Sequence, residues 1–172
     1  MNKLLFLTII CSLNTSAQEK INNILIAQED LSNNIKLEFM ATPKGMVINQ
    51  NDNSDIHLEA LINFNLSSHS NTAMAGAFVP YLEVFALVLN ETSGEKLVVN
   101  LIPHLNLVEG FHYARNTKLP GPFDDLYTVT LFIEPYTDQV SFHKDWVDIY
   151  SEVLVSPVEL SYKHINFQAL IK

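Results

Sequence analysis

The chain has 172 residues, 48% of them apolar, 17% charged and 10% aromatic, which describes one ordinary folded domain and excludes a disordered or fibrous protein. Nineteen acidic residues against ten basic ones give a formal charge of −9. With no basic patch or arginine-rich stretch, nucleic-acid binding is excluded.

The opening stretch, MNKLLFLTIICSLNTSA, places Lys3 ahead of an apolar run from Leu4 to Leu13 and ends on the small residues Thr15 and Ala17. This is the pattern of a secretory signal cleaved after Ala17. The run is too short for a permanent span, which needs about 20 residues, so no stable membrane insertion is expected. Cys11 lies inside the run behind the bulky Ile10, unlike a lipidated cysteine, and would leave with residues 1–17. The 155 residues that remain contain no cysteine and carry a formal charge of −10, because Lys3 is lost as well. Disulfides, thiolate metal sites, blue-copper centres and cysteine nucleophiles are thereby excluded.

Residues 18–54 form a polar, Asn-rich N-terminal extension with one predicted strand, Ile35 to Ala41, and make one domain with residues 55–172. The following runs are strand-like: Ile56 to Leu66, Phe78 to Leu89, Lys96 to Ile102, Gly110 to Thr117, Tyr127 to Glu134 and Val158 to Ala169. Turn-forming residues separate them, among them Asn90 to Gly94, Pro120-Gly121-Pro122 and Pro135. Short strands at this spacing predict an all-β fold, an immunoglobulin-like antiparallel β-sandwich of about seven to nine strands.

Within Asp55-Ile56-His57-Leu58-Glu59-Ala60, His57 and Glu59 stand two positions apart and so share one strand face. Five further histidines are present. His69 reads as a solvated loop tip and His164 as an outward residue of the last strand. His104 follows Pro103 at a strand end, His112 opens the next strand, and His143 lies in the loop after the Tyr127 to Glu134 strand. Strand ends and loops are where a sandwich builds its sites. Imidazoles with one carboxylate suit copper(II), zinc or iron and match calcium or magnesium poorly. Met40, Met46 and Met74 could act as soft copper(I) ligands but read more simply as core filler. There is no Gly-rich phosphate loop, no G-x-S-x-G elbow and no H-E-x-x-H pair.

The ordered motifs resemble one family, the periplasmic proteins of bacterial iron(II) transport. A zinc- and lactoferrin-binding spirochaetal lipoprotein is a relative. Asp55 to Ala60 is similar to that family's first metal strand, and Phe78-Val79-Pro80-Tyr81-Leu82-Glu83-Val84 to its V-P-Y-L-x-V strand. Leu101-Ile102-Pro103-His104 stands where members carry a Pro-Met pair, and His112-Tyr113 matches the following His-Tyr. Tyr127-Thr128-Val129-Thr130 resembles the next core strand. Phe142-His143-Lys144-Asp145 resembles the R-H-x-D turn, and Ser156 to Leu160 the closing strand. The likeness covers about Asp55 to Phe167.

The resemblance implies an immunoglobulin-like sandwich in the periplasm with a metal site of His57, Glu59, His112 and His143, and His104 in the methionine position. It implies copper as the bound ion, with iron and zinc as further candidates, and a membrane iron permease as partner. A homodimer with the site near its interface is implied too. No organic substrate and no enzymatic turnover are implied, and a redox step on iron is left open. Two departures stand out: a harder imidazole replaces the thioether at His104, and one extra residue separates His104 from His112. Two other readings remain: a metal-independent exported sandwich that binds a protein or glycan, and a copper or zinc chaperone unconnected with iron.

Overall fold

A computed structural model describes residues 22–48, 53–65 and 74–171. The expected leader, its cleavage point, Cys11 and His69 lie outside the described residues. Among the described residues no helix is long and apolar enough to cross a membrane.

Among the described residues, eight antiparallel strands follow one another: β1 (Ile24–Leu31), β2 (Ile35–Pro43), β3 (Ile56–Phe64), β4 (Leu82–Asn90), β5 (Lys96–Asn106), β6 (Gly110–Thr117), β7 (Leu126–Pro135) and β8 (Val158–Asn166). They are ordered β1-β2-β3-β6-β5-β4-β7-β8. Strand β5 serves both halves. Its Lys96 to Leu101 stretch pairs with β4, whereas Ile102 to Asn106 pairs with β6. A strand that changes partners in mid-course turns the corner between two packed layers. One layer is β1-β2-β3-β6 with the end of β5, and the other is the start of β5 with β4-β7-β8. The outer edges approach each other where Tyr162 Oη on β8 donates to Glu29 Oε1 on β1 at 3.2 Å.

The all-β sandwich expectation therefore holds, with corrections in detail. The N-terminal extension supplies two strands, β1 and β2, rather than one. Strand β4 starts at Leu82 and not at Phe78, which makes only an isolated bridge to Asn63. Between them Pro80 has no N–H to donate and Tyr81 takes a positive φ of 59°, so the extended run breaks there. A short helix, α1 (Lys144–Ile149), lies in a stretch read as loop.

Alternation builds the core. Ile35, Leu37, Phe39 and Ala41 of β2 point inward beside Ile56, Leu58, Ala60 and Ile62 of β3, and all are fully buried. Val84, Ala86 and Val88 of β4 and Val129, Leu131 and Ile133 of β7 face them from the other layer. Tyr113 of β6 is buried in this core, and its hydroxyl donates to Val79 O at 2.9 Å and accepts from Leu82 N at 3.0 Å. That pair of bonds fixes β6 against the 79–82 segment, and with it the residue before Tyr113, His112.

Candidate metal centre

If β3 obeyed the simple pattern, its second face would be wet. Instead His57 and Glu59, which alternate with the core residues and point away from them, are only 6% and 4% exposed. The same holds on both neighbouring strands. In register, Thr42 of β2 stands opposite His57 and Met40 opposite Glu59, while β6 sets Asn116 against His57 and Ala114 against Glu59. Met40 and Ala114 are buried, yet neither joins the hydrophobic core cluster. They belong to a second buried patch on the outer face of the first layer. Ala114 lies at its middle, with Ile102 of β5 on its far side and His112 and Asn116 two residues away along β6. Its small side chain leaves the larger ones room to lean together.

Two of the histidines have defined tautomers. His112 is fully buried, and its Nδ1 lies 3.1 Å from the carbonyl of Gly110, which can only accept. Nδ1 therefore carries a proton, and in the metal-binding neutral form of the ring the free atom is Nε2. His57 Nδ1 meets Asn116 Oδ1 at 2.7 Å. On Glu59, Oε1 accepts a hydrogen bond from Thr42 Oγ1 at 2.6 Å, and Oε2 is left 3.6 Å from His112 Nε2. Both Oε2 and Nε2 are buried without a hydrogen-bond partner among the described residues. Two lone-pair atoms in that position repel unless something positive lies between them, and burying unpartnered polar atoms costs about 1–3 kcal/mol each. Glu59 also faces the free nitrogen of His112 rather than the tethered one. It stands on the ligand side of the ring and does not hold its tautomer.

His104 completes the group. It sits directly opposite His112 in the β5–β6 pairing, which sets the two rings side by side on the outer face. Ring centroids are 5.2 Å apart for His57 and His104, 5.0 Å for His104 and His112, and 6.4 Å for His57 and His112. One nitrogen from each of the three rings lies within 4.8 Å of the others. Nitrogens bound to one ion at about 2.0–2.1 Å can be no more than roughly 4 Å apart, so a modest inward lean closes the shell. Burial keeps His57 below its usual range, against an upward pull from Glu59, and burial followed by repulsion from His57 and His112 lowers His104. Neutral imidazole is the form that binds metal. Three imidazoles, a carboxylate and no thiolate form a donor set for copper(II), zinc or iron(II).

The fifth expected residue, His143, is not brought to this group within the chain. It is the exposed residue preceding α1 and lines a cavity of about 530 Å³ with Phe64, Phe142 and Trp146. Phe64 ends β3 and His57 lies near its start, seven residues away, or roughly 23 Å along an extended strand. His164 is exposed, as expected, but it has a structural task. It occupies a bulge of β8 with φ of 59°, and Glu91 holds both its backbone N–H and its Nδ1. Sequence reading missed Thr42, Asn116 and Ala114, and it took Met40 for core. Met40 and Thr42 are out of phase with Phe39 and Ala41, which was the available sign that they face the other way.

A model of the family described as Fe2+ transport protein matches residues 20–169. No curated protein sequence matches. Among solved structures the chain is similar to FetP of uropathogenic Escherichia coli strain F11, with 26% identity and a TM-score of 0.63 over 83% of this chain and 95% of that one. It is also similar to a copper-bound variant of P19 from Campylobacter jejuni, with 25% identity and a TM-score of 0.63 over 83% and 96%. Copper-reconstituted P19 has the same fold, with 24% identity and a TM-score of 0.64 over 83% and 94%.

Proposed function

The chain belongs to the Fe2+ transport protein family, and on that premise we propose that it is a periplasmic metal-binding accessory of bacterial iron uptake, working beside a membrane iron permease. In this reading His57, Glu59, His104 and His112 hold copper, and a bound copper ion supplies a fixed positive charge and a Lewis-acidic centre. Iron(II) is the cargo rather than the resident ion, and no organic substrate is turned over. The observation that carries the reading is the buried, unpartnered pair of Glu59 Oε2 and His112 Nε2 at 3.6 Å, two acceptors that a cation would satisfy together. The acidic balance of the chain adds a field that gathers cations around the site. Similarity to copper-bound P19 supports copper as the ion.

We assign His143 to the same centre from a second copy. Its imidazole is exposed, and it stands too far along the sandwich to reach the group in its own chain. A homodimer in which each copy offers His143 to the other would complete both sites.

The test is a calorimetric titration with copper(II) in a weakly coordinating buffer, using protein purified from the periplasm of an expression host. Binding of about one ion per chain is expected. His57→Ala should weaken it by at least about 100-fold, and His143→Ala by about 10- to 100-fold. Weak binding that neither substitution changes would leave the metal-independent sandwich as the better reading. Growth under iron limitation, restored by the wild-type gene and not by His57→Ala, separates an iron-uptake accessory from a chaperone unconnected with iron.

A further inference from the structure

Asn116 occupies a place in the centre that goes beyond a passive neighbour. It is the register partner of His57 across β3 and β6, so the two side chains rise together from the outer face. Its amide has two ends, and each has a defined partner. Nδ2 donates to the backbone carbonyl of Gly45 at 2.8 Å, and Oδ1 lies 2.7 Å from His57 Nδ1. A backbone carbonyl can only accept, so Gly45 fixes which way round the amide sits; the flipped amide would set oxygen against oxygen there. The orientation of Asn116 then decides the chemistry of His57. Facing an oxygen, Nδ1 must carry the proton, and Nε2 is left as a bare donor atom.

From this we infer that Asn116 is a positioning residue of the metal centre: it locks His57 in the Nδ1–H tautomer that presents Nε2 to the ion, and it ties that ligand to the backbone of the 44–48 segment. The inference rests on the metal-centre reading above. It adds what that reading lacked, a cause for the tautomer of a ligand whose own strand supplies none. His112 obtains the same tautomer from a backbone carbonyl, Gly110 O, which no substitution can remove. His57 depends on a side chain, and there the sequence is free to tune the site. Groups that orient a ligating histidine through its second nitrogen typically change metal affinity by about 10- to 100-fold when lost.

The tautomer can be read without metal. In metal-free protein carrying 15N-labelled histidine, long-range correlation spectra distinguish protonated from bare ring nitrogens. The expected result is a His57 ring with Nδ1 protonated and Nε2 bare. Asn116→Leu, which removes the bonds to His57 and to Gly45, should give a mixture of tautomers. It should also weaken copper(II) binding by about 10- to 100-fold and change the copper hyperfine pattern in electron paramagnetic resonance. Where the leucine variant does not fold, Asn116→Asp carries the test. Its carboxylate still accepts from Nδ1–H, so it should keep the Nδ1–H ring. A wild-type His57 protonated on Nε2 would overturn the inference. So would a folded leucine variant that binds copper as the wild type does with an unchanged spectrum, or an aspartate variant whose ring moves to the Nε2–H form. If wild-type protein binds no copper at all, the metal reading fails, and the nitrogen spectra alone then decide whether Asn116 sets the tautomer.

Discussion

At the scale of single residues, the centre depends on keeping imidazoles neutral in a buried place. Desolvation lowers the affinity of His57 for a proton, and desolvation with neighbouring histidines does the same for His104. Both rings therefore bind a proton more readily in the unfolded chain, where histidine titrates near about 6.5. The sign of the linkage follows: the folded, metal-free protein has this part of its stability in full above that value and loses it as pH falls through it toward the lowered folded values. Thermal melts of metal-free protein should show a midpoint that drops between about pH 7.5 and about pH 5, with a shallower drop in His104→Gln. A midpoint independent of pH over that interval would contradict the assignment. His104 also bears on the choice of ion. It is a harder donor than the thioether that the family resemblance puts at this position, so His104→Met should shift preference from copper(II) toward copper(I). Competition against chelators specific for each oxidation state would measure the shift.

Individual elements show why some of the architecture was legible and some was not. Strands β3 and β7 announce themselves because one face is apolar at every second residue and turn formers bound them. Strand β1, ILIAQEDL, does not: it is an edge, only Ala27 in it is buried, and no alternation is imposed. Helix α1 was hidden for a related reason, since its six residues bury none of their number and leave no stripe to detect. His57 and Glu59 could be paired from sequence because a spacing of two settles their face. Asn116 and Thr42 could not, because their link to the centre is the register between strands, which is a tertiary fact. The turn after β6 had a visible signal, Pro120-Gly121-Pro122, and its physical basis is specific. Gly121 has φ of 146°, and a Cβ there would come within 2.0 Å of Asn90 Nδ2. Asn90 is fully buried at the end of β4; its Oδ1 accepts from Thr92 N and Ser93 N, and its Nδ2 donates to Asp125 Oδ2. Gly121→Ala should therefore strain the backbone and displace that network, costing roughly 2–4 kcal/mol. Denaturant unfolding of the two proteins would show it, and a loss below about 0.5 kcal/mol would mean that the turn relaxes freely.

For the whole molecule, the proposed exchange of His143 has a geometric and an electrostatic consequence. The His57 group and α1 lie toward opposite ends of β3, so two copies that trade His143 lie side by side and antiparallel. A two-fold axis does this and completes both centres at once, giving two ions per dimer. The chain carries a formal charge of −9, so association brings like charges together and low salt opposes it. Copper(II) acts on the other side of the balance: each ion removes two negative charges and gains a ligand only in the dimer. By linkage, an ion that binds the dimer better than the monomer must also promote dimerisation. Sedimentation velocity on metal-free protein should show the dimer fraction rising as salt is raised from about 20 to 300 mM. At fixed salt, one equivalent of copper(II) per chain should raise it further. His143→Ala should keep the salt response, which comes from net charge, and lose the copper response, which comes from the crossed ligand. If copper promotes association equally in His143→Ala, the ion acts through charge alone, and the second copy's histidine has no place in the centre.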